Sequence, residues 1–266
     1  MLTAPQLARL VEFGEAQAYA DMFRHAPPGL RLRVEPFGAA IALLAPDVPI
    51  LLFNRVIGLG LDEPAAEATL DAAVELYRRA GIRNFGVQLS PAAQPADLPG
   101  WLQARGLAPA SRWAKVYRPA EAPPESETSL LIELAGPEHA PAFARVACTA
   151  FGMPHFLQPW LMAGVGQPGW RHYLAFDGEQ AVATGALFVR GEVGWLGVGG
   201  TLPSHRRRGG QQALMARRIE DALRLGCRWL ITETGEDTPD NPNPSYRNML
   251  RLGFILAYQR PNYVAL

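Results

Sequence analysis

The chain has 266 residues, 48% of them hydrophobic, enough for one large domain or two of about 130 residues. Its formal net charge is zero, so neither a nucleic acid nor another polyanion is expected as a general partner. Two cysteines, Cys148 and Cys227, make neither a disulfide framework nor a zinc site, and one lysine, Lys115, among 24 arginines leaves a single candidate for lysine chemistry.

The first half opens its readable pattern at residues 30–35, where Leu30, Leu32 and Val34 alternate with charged residues as in a half-buried strand. Residues 51–61 predict another strand. Residues 64–80 predict a helix, because Ala66, Leu70, Ala73, Val74 and Tyr77 share one face before Gly81. A strand over 83–89 follows. Residues 119–128 are rich in Pro and Glu and carry no large apolar side chain; they predict a linker between a domain at 1–118 and one at 129–266.

The second half predicts a strand at 130–134, helices at 137–150 and 156–165, and strands at 170–176, 181–189 and 193–201, with Asp177-Gly178 as a hairpin turn. A helix over 211–225 has Met215, Ile219, Ala222 and Leu223 on one face and Gly226 as its stop. Residues 228–232 read as a buried central strand. A helix over 245–252 precedes Gly253-Phe254, and two terminal strands close the chain. No apolar run reaches 18 residues and no charged, apolar leader opens the chain, so a cytoplasmic protein without membrane partners is expected.

Between strand 193–201 and helix 211–225 lies Leu202-Pro203-Ser204-His205-Arg206-Arg207-Arg208-Gly209-Gly210. A strand running through a basic, glycine-containing loop into a helix aims backbone N–H groups and the positive helix end at one place, as pyrophosphate binding requires. The loop ends in neither Gly-Lys-Ser/Thr nor three spaced glycines, which excludes the P-loop and dinucleotide fingerprints. It does resemble the loop of the GNAT superfamily of acyl-CoA-dependent N-acyltransferases, in which Arg or Gln, two residues, Gly, one residue, and Gly or Ala follow such a strand. Here the matching residues are Arg206, Gly209 and, as a departure from Gly or Ala, Gln211. The element order and the closing Gly253-Phe254 also resemble that superfamily. In the first half, Trp101-Leu102 before Gly106-Leu107 echoes Met249-Leu250 before Gly253-Phe254.

The resemblance implies an α/β protein with a mixed sheet, built as two tandem GNAT-like domains. The first is expected to be degenerate: its connection at 60–65 carries Asp62 and Glu63, acids that repel a pyrophosphate, in place of arginines. The second implies acetyl-CoA as co-substrate, held by Gly200, Thr201, Leu202, Arg206, Arg207, Arg208, Gly209, Gly210, Gln211 and Gln212, with Asn243 and Ser245 as further contacts. The acceptor is expected to be the amine of a small molecule or peptide. Glu233 and Glu236 follow the central strand and are candidate bases. The superfamily's acid tyrosine would fall at Met249, so Tyr246, one turn earlier, is the candidate acid. The alternative is a non-catalytic acyl-CoA-binding or sensing protein on the same scaffold.

Overall fold

The computed structural model describes residues 2–265, which form seven α-helices and eleven strands. In chain order these are α1 (Ala4–Arg24), β1 (Arg33–Phe37), β2 (Ala40–Leu44), β3 (Arg55–Ile57), α2 (Glu67–Arg79), β4 (Gly86–Gln88), α3 (Leu98–Ala104), β5 (Leu107–Pro119), β6 (Leu131–Ala135), α4 (Ala140–Phe151), α5 (Gln158–Ala163), β7 (Trp170–Asp177), β8 (Gln180–Arg190), β9 (Val193–Thr201), α6 (Gly210–Arg224), β10 (Trp229–Gly235), α7 (Pro244–Arg251) and β11 (Ile255–Ala265). The chain divides into two compact units. The first holds the chain up to Lys115, Thr234–Glu236 and the residues from Leu256 on; the second holds Val116–Glu233 and Asp237–Ile255. This division departs from one drawn at the linker, because the last strand packs with the first unit.

In the first unit the strand order is β1-β2-β3-β4-β11-β5. Strands β3 and β4 are parallel, and β11 runs antiparallel to β4 with Tyr263 opposite Val87. The predicted helix over 64–80 is α2, which buries Leu70, Ala73 and Tyr77. Tyr77 stacks on Phe85 and donates to the Leu43 carbonyl. Helix α1 begins at a Thr3–Gln6 capping box and buries Glu12 and Glu15 beside Val11, Ala16 and Phe23. The two terminal strands expected from the sequence form one long strand, β11, with Pro261 inside it.

In the second unit the order is β10-β9-β8-β7-β6. All neighbours are antiparallel except β9 and β10, which are parallel. A Cβ at Gly199 would face Arg218 of α6, whereas one at Gly200 would face Ala150 and Phe151 of α4. Successive strand residues point to opposite faces, so α6 and α4 cover opposite faces of this sheet. The predicted strand 193–201 coincides with β9, and the predicted helix 211–225 with α6 to within one residue.

Candidate active site

The site is built on an irregular end of β9. Thr184 pairs with Gly200 and Ala186 with Gly197, so Gly185 alone faces Val198 and Gly199: a β-bulge. Val198 sits at φ +50°, a conformation that costs a β-branched residue about 1–3 kcal/mol. Pairing of β9 with β10 runs from Val193–Trp229 to Trp195–Ile231, so the bulge lies beyond the last pair. Thr232 Oγ1 then reaches the Leu196 carbonyl (2.6 Å) and Thr184 Oγ1 the Val198 carbonyl (2.9 Å).

Past Thr201, the Leu202 N–H bonds the Val182 carbonyl and its side chain is buried, so Leu202 anchors the loop to β8. Arg206 and Arg207 are exposed and make no ion pair among the described residues; Arg207 is held at φ +64°. Arg208 is engaged differently. Its Nη1 and Nη2 both donate to the Asp177 carboxylate (2.5 and 3.1 Å), with His205 Nε2 3.4 Å from the same group. That pairing holds the Asp177 carboxyl below the usual carboxylate range.

The N-cap residue of α6 is Gly209, which is left-handed (φ +77°) and supplies no side-chain cap. The first helical bond is from the Ala213 N–H to the Gly209 carbonyl, which leaves the N–H groups of Gly210, Gln211 and Gln212 as the orphan donors of the helix start. The glycines also serve close packing within the protein. A Cβ at Gly209 would collide with the Glu127 carbonyl, and one at Gly210 would stand 2.9 Å from Leu130. Residues 127–130 therefore press on the back of the loop, and Thr128 Oγ1 donates to the Arg208 carbonyl (2.7 Å).

The side chain of Gln211 turns to α7. Its Nε2 donates to Ser245 Oγ and its Oε1 accepts from Asn248, both at 2.7 Å. Asn243 is the N-cap of α7: its Oδ1 accepts from the N–H groups of Ser245 and Tyr246. Tyr246 is half-buried on the first turn of α7, and Met249 is buried one turn on. Glu233, half-buried near the end of β10, accepts the Trp195 indole N–H at 3.1 and 3.3 Å. Trp195 reaches it by lying over Gly197, where a Cβ would overlap the indole. Glu236, the other candidate base, is tied to Arg112 at 2.6 Å.

The remaining reactive side chains are placed elsewhere. Lys115 is fully buried with its Nζ 2.7 Å from Glu15. Cys148 and Cys227 are buried thiols whose pKa burial raises. His172 is buried among Phe143 and Trp170. Sequence reasoning missed three partners: Asp177 on Arg208, Trp195 on Glu233, and Arg218 behind the bulge. Only the last had a local signal, an arginine one turn from Leu214 and Ala222 on the apolar face of α6.

No family model and no curated protein matches the sequence. Solved structures do match over nearly the whole chain. A GCN5-related N-acetyltransferase from Kribbella flavida aligns with 96% of this chain and 95% of its own, at 21% identity and a TM-score of 0.67. A GCN5-related N-acetyltransferase from Sphaerobacter thermophilus aligns with 98% and 91%, at 17% identity and 0.61. A tandem GNAT protein from the clavulanic acid biosynthesis pathway aligns with 98% and 94%, at 17% identity and 0.60. The chain has the GNAT fold. The bulged strand, basic loop and uncapped helix all lie in the second compact unit.

Proposed function

We propose that the second unit binds acetyl-CoA and transfers its acyl group to an amine of a small molecule or peptide. The observation that carries this reading is the uncapped start of α6, flanked by two exposed arginines that make no ion pair among the described residues, directly after a bulged strand. Anions are favoured at such a helix end, and guanidinium groups match phosphate oxygens. Arg206, Arg207 and the N–H groups of Gly210, Gln211 and Gln212 would hold the pyrophosphate. Arg208, already paired with Asp177, would shape the loop. The strand end at Gly199, Gly200 and Thr201 would receive the pantetheine arm, with Asn243 and Ser245 at the far side.

Acetyl-CoA, when bound, supplies the acyl group as a thioester open to direct attack. Glu233, oriented by the Trp195 indole, would take the proton of the incoming amine, directly or through water. Tyr246 would protonate the departing thiolate. A backbone N–H of the bulge would face the thioester oxygen, where negative charge develops. The first unit is read as a degenerate partner domain without its own acetyl-CoA site.

Calorimetry with acetyl-CoA tests the reading, with adenosine 3′,5′-bisphosphate run alongside. Binding at one site per chain is expected. Arg206→Ala combined with Arg207→Ala should weaken it roughly 100-fold, at about 1.5 kcal/mol for each charge-assisted contact. An unchanged affinity in the double variant would remove the loop from the reading. With an acceptor found by thiol release, Glu233→Gln and Tyr246→Phe should each lower kcat more than they raise KM.

A further inference from the structure

Three consecutive carbonyls in β9 are held by side chains: Leu196 by Thr232, Gly197 by Arg218, and Val198 by Thr184. The middle one is unusual. Arg218 is only 2% exposed and makes no ion pair among the described residues. Its guanidinium donates from Nη1 to the carbonyls of Gly197 (3.1 Å) and Ala186 (3.2 Å), and from Nε to that of Leu214 (3.0 Å). Burying a cation without a counter-charge is costly, and burial lowers this guanidinium to about 10, so it is still charged at neutral pH. Space is kept for it: a Cβ at Gly185 would stand 2.9 Å from its Cζ. The unpaired charge and the strained Val198 thus meet at a single peptide group, Gly197–Val198. Two local costs at one place point to function more than to stability.

We propose that Arg218 is a positioning residue for acyl transfer: through the Gly197 carbonyl it polarises the Gly197–Val198 peptide and fixes the Val198 N–H as the donor to the thioester oxygen. The peptide is trans, so its N–H points away from its carbonyl and from the guanidinium. A cation on the carbonyl end of an amide strengthens the N–H end as a donor, because hydrogen bonds in series polarise one another. The donor lies beyond the last β9–β10 pair, where an arm threading between the strands would pass it. The strained φ of Val198 and the Thr184 bond to its carbonyl then set the donor's direction. This proposal rests on the acetyl-CoA reading above.

The test reads the carbonyl itself. Acetyl-CoA labelled with carbon-13 at the acetyl carbonyl is bound to the full chain and its stretching band recorded by isotope-edited infrared difference spectroscopy. In the unsubstituted protein the band is expected below that of free acetyl-CoA. Arg218→Met should return it toward the free value, and Arg218→Lys should recover part of the shift. Affinity for adenosine 3′,5′-bisphosphate should stay within twofold in all three, since the phosphate loop is untouched. Should Arg218→Met fail to fold, Gly185→Ala, which crowds the guanidinium off the carbonyl, should move the band the same way. In the unliganded chain the Val198 amide proton should also shift upfield when Arg218 is replaced. A bound band unmoved by these changes would overturn the role of Arg218 alone. Absence of acetyl-CoA binding to the unsubstituted chain would overturn the acetyl-CoA reading and this proposal with it.

Discussion

Gly209 carries two constraints in one residue. Its φ of +77° is left-handed, and the Glu127 carbonyl occupies the space a Cβ would need. An alanine there cannot relieve the first strain without worsening the second. Gly209→Ala should therefore cost about 2 kcal/mol or more, a fall in Tm of roughly 4–8 °C for a chain of this size, seen in a thermal scan. A Tm within 1 °C or so of the unsubstituted protein would mean that residues 127–130 do not press on the loop. The run Arg206–Gly209 was legible in the sequence because its chemistry is local: cations and a glycine between a strand and a helix. The partner of Arg208 was not, because Asp177 lies 31 residues away and is brought in only by the β7–β8 turn. Similarly, Gln211 looked like an intruder in a glycine position; its side chain instead ties α6 to Ser245 and Asn248.

At the level of elements, legibility followed the regularity of the apolar pattern. Helix α6 was placed to within a residue because Met215, Ile219 and Ala222 share its buried face and Gly226 stops it, and β9 because the Leu202-Pro203 step ends it. Helix α1 was missed: Glu12 and Glu15 sit on its buried face and break the apolar stripe that would have announced it. Bulges are likewise invisible to a period-2 pattern. The α4–β7 contact supports a prediction of its own. His172 on β7 stacks on Trp170, meets the edge of Phe143 of α4, and has no hydrogen-bond partner at Nδ1. Burial lowers its pKa from 6.5 to about 4. The unfolded chain therefore binds this proton first, and stability is lost as pH falls from about 6.5 toward 4, by up to about 3 kcal/mol. Urea midpoints measured at pH 7 and pH 5 should differ accordingly. His172→Gln, which cannot take the proton, should flatten that difference; an equal fall in the variant would place the sensitivity elsewhere.

For the molecule as a whole, the linker at 119–128 suggested a cut that the packing does not follow, since β11 lies against β4 in the first unit. What β11 brings there is Arg260, fully buried, with Nη1 2.5 Å from Glu12 and 2.6 Å from Glu15. Glu15 also meets Lys115 at 2.7 Å and Arg55 at 3.0 Å. Burial pushes the Glu15 carboxyl up, but Arg260, Lys115 and Arg55 outweigh it and hold the group well below its usual value. Its contribution is therefore present above about pH 4.5 and fades below that value. Removing one member of such a buried group strands the others: Glu15→Gln should cost about 3–5 kcal/mol. Deleting residues 256–266 is more drastic, because it takes away Arg260 and the strand that pairs with β4 together. Hydrogen exchange followed by mass spectrometry reads the result strand by strand. Protection should vanish in β3 and β4 and survive in β7, β8 and β9, whose pairing and core lie within the second unit. Retained protection in β3 and β4 would show that the first unit closes its sheet without β11. Loss throughout would show that the second unit, and any acyl-transfer site it carries, needs the first unit in order to fold.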